Sequence, residues 1–282
     1  MTRHPAPLAL ARRIAAWALA LLLTPAWAAA SQLEDVRQRG ELACGTLGTD
    51  EPNSYVDPAT RTIIGYDVDL CSVIAKALGV RPVIRQVSVA ARIPELQQGH
   101  IDLLSASLSH TREREVAIDF SLTVLVTGQR VLVRKDSGIT SLAQLGGRRI
   151  TAVRGGTLEA NVLKAVPTAR VITFDTSPQA LVALQQGKAD GFANDEVSLA
   201  RAWAELGPAR TDFLLLPGSI STEYFALGVR KGEPSFRQAV NQALRAIEAS
   251  GEAERLFMKW YGPGSRVGFS TRTFRIDSDR LP

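Results

Sequence analysis

The chain has 282 residues, 45% of them hydrophobic and 22% charged, with a formal net charge of +5. That balance excludes a disordered segment and a small single-core module, and it predicts two lobes of ordinary size. No run of Lys and Arg is interleaved with aromatics, so the charge gives no sign of a nucleic-acid partner.

Residues 1–30 begin with a basic start, then an apolar run over 14–23, then small residues around Pro25. Ala26-Trp27-Ala28 and Ala28-Ala29-Ala30 both meet the A-x-A cleavage rule, so a secretory signal peptide is expected. The run is about half the length a membrane span needs. The leader holds Arg3, Arg12 and Arg13, and its removal lowers the charge from +5 to +2. Cys44 and Cys71 are the two cysteines. An even count in an exported chain suggests a disulfide between them, with two buried free thiols as the alternative. His4, His100 and His110 form no cluster with the cysteines. No metal, cofactor or Cys-His nucleophile is therefore expected.

Residues 41–45 read as a first strand and 50–66 as a polar turn region. Val68, Cys71, Ile74, Ala75 and Leu78 recur at helical spacing over 66–80, and Gly79 supplies a stop. A strand over 82–89, a short helix over 93–98 and a strand over 101–104 follow. The order β-α-β-α-β predicts a sheet with helices on its faces and ligands at the carboxyl ends of its strands.

The stretch from Ser105 to Ser121 begins at one of those ends. Thr111 reads as a helix cap, with Glu113 and Glu115 in the first turn where the helix dipole favours anions. Arg114 sits in the same turn, where a bound anion would give a cation a use. A guanidinium fits a carboxylate with two parallel donors, and Ser107 and Ser109 add hydroxyls beside it. The residues therefore fit a carboxylate clamp or an ordinary solvated arginine.

A strand-like run over 123–135 starts a second, related pattern: a short helix at 141–147, a strand at 149–153, and a helix opened by Gly155-Gly156-Thr157. Then come a strand at 171–174 and a helix from Ser177 to Gly187. Leu96-Gln97-Gln98-Gly99 with Asp102 is repeated as Leu184-Gln185-Gln186-Gly187 with Asp190. The first copy leads to Ser105–Arg114 and the second to Asn194, Asp195 and Glu196, which implies two similar lobes facing a cleft. Asp195 also suits the cap of a helix over 197–203. A strand over 223–231 and helices over 233–250 and 253–261 complete the pattern, and 262–282 reads as polar and loosely attached.

Gly65-Tyr66-Asp67-Val68-Asp69-Leu70 with Ile74-Ala75 resembles the signature of the family 3 extracellular solute-binding proteins, the periplasmic receptors of polar amino-acid ABC transporters. Arg92-Ile93-Pro94, Thr111–Arg114 with Asp119-Phe120-Ser121, Gly156-Thr157 with Glu159, Asp190 with Asp195, and residues 250–261 agree in order. The resemblance implies an α/β, two-lobe, type II Venus-flytrap fold with two crossing strands. Lobe 1 would hold 31–125 and 228–282, and lobe 2 would hold 126–227. By the same resemblance Arg114 holds the ligand's α-carboxylate and Asp195 its α-ammonium. Ser107, Ser109 and Thr157 assist, while Asp67 and Asp69 are fold residues.

The chain looks closest to glutamate/aspartate-binding members, in which Arg92 matches a side-chain-reading arginine. Leu47, Val89 and Ser177 depart from them where they carry arginine, serine and histidine. The expected function is therefore periplasmic capture of a polar amino acid, glutamate- or aspartate-like among the options, by a monomer that delivers it to an ABC permease. Cyclohexadienyl dehydratases resemble these receptors and share the Gly155–Glu159 motif. An enzyme using Glu159 or Glu196 as general acid is the alternative.

Overall fold

The computed structural model describes residues 31–280; the expected signal peptide, residues 1–30, lies outside the described residues. Among the described residues no helix is long and apolar enough to cross a membrane.

Ser31 and Glu34 cap α1 (Gln32–Arg39) reciprocally. β1 (Glu41–Thr46) pairs in parallel with β5 (Arg81–Gln86) and β6 (Leu103–Leu104). The region read as a turn instead forms a small antiparallel sheet of β2 (Thr49–Asp50), β3 (Ser54–Val56) and β4 (Ile63–Ile64). Strands of two or three residues are too short to show alternation, so the pattern does not reveal them. α2 (Tyr66–Leu78) buries Cys71, Ile74, Ala75 and Leu78, as its spacing predicts, but buries Leu70 in place of the expected Val68. That face carries Cys71 onto β1, where it is bridged to Cys44 across 27 residues of chain. Closing a loop of that length stabilises the fold by about 3.5 kcal/mol through the unfolded chain.

After α3 (Arg92–Gln97) and β6, α4 (Arg112–Glu115) is a single turn capped by the Thr111 hydroxyl. β7 (Ile118–Arg134) then runs 17 residues, starting well before the expected 123. Asp119 and Ser121 interrupt the apolar pattern there, but both are satisfied from the neighbouring strand. Lys231 pairs with Asp119, and the Leu227 N–H donates to Ser121 Oγ. The expected helix at 141–147 is a 3₁₀ turn, Leu142–Leu145. β8 (Arg149–Val153), α5 (Leu158–Ala165), β9 (Arg170–Phe174), α6 (Ser177–Gln185), β10 (Gly191–Asp195) and α7 (Glu196–Glu205) follow. β11 (Phe213–Leu215) and β12 (Ser221–Arg230) both pair with β7, and α8 (Pro234–Ala249) and α9 (Glu252–Tyr261) end the helical part.

The strands join into one nine-stranded sheet, ordered β5-β1-β6-β12-β7-β10-β8-β9 with β11 beside β7. Its two halves are the two lobes. α2, α8 and α9 pack on the first around Leu42, Leu70, Ile74, Phe236 and Leu244, and the second encloses Val131, Ile150, Leu158 and Val162. β7 pairs with β12 over Ile118 to Gln129 and with β10 over Gln129 to Val133, so β7 and β12 are the two crossing strands.

The internal repeat is structural in both places. Gly99 and Gly187 take φ of 75° and 69° after their helices, a region open to glycine. Asp102 then accepts the Ala43 N–H at 2.9 Å and pairs with Arg39. Asp190 accepts the Arg149 N–H at 2.8 Å and pairs with the Arg149 guanidinium. Each aspartate ties the start of its strand to the strand beside it.

The expectation of a loose tail is overturned. Phe274 and Ile276 are buried against the first lobe's core, with Phe274 edge-on to Phe257 at 5.7 Å. Arg272 donates twice to Glu248, at 2.7 and 2.9 Å, and once to Glu254 at 2.9 Å. Composition missed this because the partners are 24 and 18 residues away in the chain.

Candidate functional site

The cleft opens at the carboxyl ends of the strands, where open α/β sheets hold ligands. Leu47 follows β1, Ser107 and Ser109 follow β6, and Asp195 ends β10; with Asp50, Arg92 and Thr157 they line one cavity between the lobes. Arg114 stands at its edge and is not part of the wall.

On the first lobe, the turn after β6 is braced from three sides. Ser107 has φ 49°, a left-handed conformation that costs of order 1–3 kcal/mol in a non-glycine residue. Its N–H donates to Asp67 Oδ2 at 3.0 Å and its hydroxyl to Asp50 Oδ2 at 2.8 Å. Arg92, 3% exposed, donates to the carbonyls of Ala106, Ser107 and Val89 at 2.7, 3.0 and 3.0 Å. Burial, and then the Arg114 charge, pull the Arg92 pKa down to about 9.

Thr111 accepts the Arg114 N–H at 3.3 Å, which sets Arg114 at the head of α4. Its guanidinium donates to Ser109 O at 2.9 Å and, across the cleft, to Gly155 O at 3.1 Å. Gly155 has φ 79°, and a Cβ there would meet Ala90 Cα at 2.8 Å, so this lobe-to-lobe contact requires glycine. Burial lowers the Arg114 pKa, and Glu223 and Glu113 oppose that.

On the second lobe, Asp195 caps α7: its Oδ1 accepts the Ser198 N–H and its Oδ2 faces Ser198 Oγ, both at 2.9 Å. The same hydroxyl lies 2.9 Å from Asp50 Oδ1 on the first lobe. A serine hydroxyl carries one hydrogen, so it donates to one of these carboxylates and leaves the other facing bare oxygen. Either a carboxyl proton or a cationic guest supplies the missing donor.

Burial first, and the Asp50 charge second, push both Asp67 and Asp195 up to about 7. The folded state thus keeps protons that the unfolded chain releases above about pH 4, and this contribution is lost as pH rises from about 4 to about 7. Asp67→Asn keeps the shape without the charge. It is expected to melt with the parent at pH 4 and several degrees above it at pH 8. A melting difference that does not grow between those pH values contradicts this account.

Thr157 is engaged elsewhere: its hydroxyl donates to Glu223 Oε2 at 2.9 Å and accepts from Gln129 Nε2 at 2.9 Å. Asn161 and Ser221 complete the shell of Glu223 at 2.9 and 2.8 Å. Ser109 Oγ stands 3.4 Å from the Thr157 hydroxyl. Asp69 faces away from the cleft, bonded to Lys259 and Trp260 at 2.7 Å.

Asp50, Ser198, Gln129 and Glu223 were not legible as site residues. Asp50 sits in a strand too short to detect, and Gln129 and Glu223 meet only because β7 and β12 pair. Ser198 had a signal, since a serine three residues after an aspartate at a helix start suits a cap.

A sheet split into two lobes, with charged side chains from both facing one cavity, defines a protein that closes on a small solute. Residues 42–263 match the profile of the bacterial extracellular solute-binding proteins, family 3. The chain belongs to that family. It is 30% identical over 208 residues to the ABC transporter glutamine-binding protein GlnH of Bacillus subtilis, covering 72% of this chain and 75% of that one. It is 28% identical over 272 residues to the glutamate/aspartate import solute-binding protein of Escherichia coli, covering 92% and 88%. Among solved structures, an ancestral arginine-binding protein bound to arginine superposes with a TM-score of 0.75 at 30% identity, covering 79% of this chain and 99% of that one.

Proposed function

We propose that this chain captures one free amino acid between its lobes and hands it to the permease of an inner-membrane ABC importer. It does so in the periplasm, as a monomer, after loss of residues 1–30. The lobes are proposed to divide within β7 and β12, with 31–125 and 228–282 on one side and 126–227 on the other. The observation that carries the reading is the charge layout of the cleft. Arg92, Asp50 and Asp195 line it, with Asp195 on the second lobe, and the Arg114 guanidinium reaches across it to Gly155 O. Among the described residues none of these four has a salt-bridge partner. A zwitterion carries one group of each sign and meets both.

In this reading the α-carboxylate takes the Arg114 donors now on Ser109 O and Gly155 O, with the Ser109 hydroxyl beside it, and Thr157 joins only if its hydrogen turns from Glu223. The α-ammonium meets Asp195. Arg92 and Ser107 shape the turn after β6, since three Arg92 bonds are on carbonyls of its own lobe and a fourth, at 3.5 Å, reaches Gly155 O. The relatives are named for glutamine, for glutamate and aspartate, and for arginine, so lineage alone does not choose the side chain. They are binding proteins by name, and Glu159 and Glu196 lie outside the cavity wall. The dehydratase alternative therefore has no observation in its favour.

The test is a melt with each of the twenty L-amino acids at about 1 mM. A ligand at 1,000 times its Kd adds about 4 kcal/mol, or roughly 8–16 °C at this size. At least one is expected to give such a shift, and Arg114→Ala to remove it. If none of the twenty moves the melt, the reading fails.

A further inference from the structure

Resting on the amino-acid reading above, we propose that Asp50 is a ligand-binding residue. It joins Asp195 in a two-carboxylate subsite for the ligand's ammonium group, one acid from each lobe, and thereby selects against ligands with a second carboxylate.

Three observations carry this. First, Asp50 lines the same cavity as Asp195 although the two lie on different lobes, and Ser198 Oγ is 2.9 Å from both. Their facing oxygens are therefore close enough for one small cation to touch both. Second, the donors are too few. Asp50 Oδ2 accepts from Asn53 Nδ2 at 2.9 Å and from Ser107 Oγ at 2.8 Å, but the one Ser198 hydrogen is left to serve both Asp50 Oδ1 and Asp195 Oδ2. An ammonium has three N–H donors and no acceptor, which is what this arrangement lacks.

Third, the charges do not balance. Asp50 and Asp67 act on the Arg92 charge, Asp195 feels the Asp50 charge, and among the described residues no cation lies within salt-bridge distance of any of the three aspartates. Carboxylates taken from water are ordinarily paired. Here the partner is the guest. A guest that adds a carboxylate to this set adds repulsion, whereas a neutral or cationic side chain does not. Among the described residues no group of His, Cys, Asp and Glu has metal-holding geometry, so the cation is taken as an amine.

The placement also gives closure a cause. Asp50 is carried by the small sheet of the first lobe and Asp195 by the end of β10 in the second. Without a cation between them the two acids resist approach; with one, each is drawn to it. The ligand then favours the shut form because both acids reach it only there.

The experiment is calorimetry at pH 7.5 with the full-length mature chain, using the tightest binder among the twenty L-amino acids, with L-glutamate and L-glutamine as fixed comparators. The parent is expected to bind L-glutamate at least 100-fold more weakly than its tightest ligand. Asp50→Asn, whose single carboxamide oxygen can accept from both Asn53 and Ser107, is expected to weaken the tightest ligand at least tenfold and to shrink its lead over L-glutamate to under tenfold. Asp50→Ser, a second variant in case the first folds poorly, is expected to do the same. Ligand-free melting checks that each variant is folded.

The proposal is overturned if Asp50→Asn changes affinity less than threefold with selectivity intact, if L-glutamate is the tightest ligand, or if Ca²⁺ or Mg²⁺ alone shifts the melt and Asp50→Asn abolishes that shift. Binding that survives at Asp50→Asn but is lost at Arg114→Ala leaves the amino-acid reading standing and removes only this proposal. Absence of binding by every amino acid removes both.

Discussion

Asp195→Asn is expected to abolish the response to ligand while leaving the ligand-free protein as stable as before, or more so. Asp195 does two things with different parts of its chemistry. As the cap of α7 it needs only an acceptor for the Ser198 N–H, 2.9 Å away. Asparagine caps about as well as aspartate, so the helix end keeps its bond. As the proposed partner of the ammonium it needs a negative charge in a buried place. Losing one side of a buried, hydrogen-bonded charge pair across an interface costs about 2–5 kcal/mol, or roughly 30- to several thousand-fold in affinity. The ligand-free form loses instead the repulsion between Asp195 and Asp50. Asp195→Ala separates the two roles, because it should lose binding and also about 1 kcal/mol of cap. Melting curves with and without the best amino acid, for parent and both variants, read all of this. Binding within threefold of the parent in Asp195→Asn contradicts the assigned role.

Removing residues 263–282 is expected to lower the melting temperature by 10 °C or more. Phe274 and Ile276 contribute about 1.5–3 kcal/mol each by burial. Their loss also leaves Glu248, with a side chain 6% exposed, without the Arg272 guanidinium that meets it on two bonds. Stripping one partner from a buried pair costs about 3–5 kcal/mol because the other charge stays in place. Arg272→Ala isolates that share, and its pH dependence has a definite sign. The Arg272 bonds, helped by the Ile276 N–H and opposed by burial, hold the Glu248 carboxyl below the usual range. Stability from such a group is present above the unfolded value of about 4.5 and is lost as pH falls through the lower folded value. The melting gap between parent and Arg272→Ala is therefore expected to be wide at pH 7 and to narrow below pH 4. A truncated chain that melts with the parent shows the tail to be dispensable.

The tail bears on more than stability. The Thr123 N–H donates to Ser278 O at 3.0 Å and the Thr123 hydroxyl accepts the Arg280 N–H at 3.0 Å. Thr123 lies on β7, close to the irregular pairing of Phe225 and Ala226 on β12. The last residues thus hold the same strand that crosses between the lobes.

Much of this molecule is written in local sequence. The faces of α2 and α8, the glycine stops at Gly79, Gly99 and Gly187, the cap at Thr111 and the twofold recurrence of helix, glycine and aspartate each depend on residues within about a dozen positions of one another. Periodicity, a left-handed turn and a cap are short-range effects, so they can be read before any tertiary contact is known. The placements of Arg114 and Asp195 were legible for the same reason: one sits in the first turn of a short helix and the other caps a helix at a strand end. What they touch was not legible. Ser198 meets Asp50 over 148 residues, Thr157 meets Glu223 over 66, and Arg272 meets Glu248 over 24. The first two meetings exist because β7 and β12 cross between the lobes, and the third because the tail folds back onto α8. The sequence by itself therefore determined the long helices, the main strands of both lobes and the lineage. Only the tertiary structure decided which charges share the cleft, because pairing through space between residues far apart in the chain leaves no periodic trace.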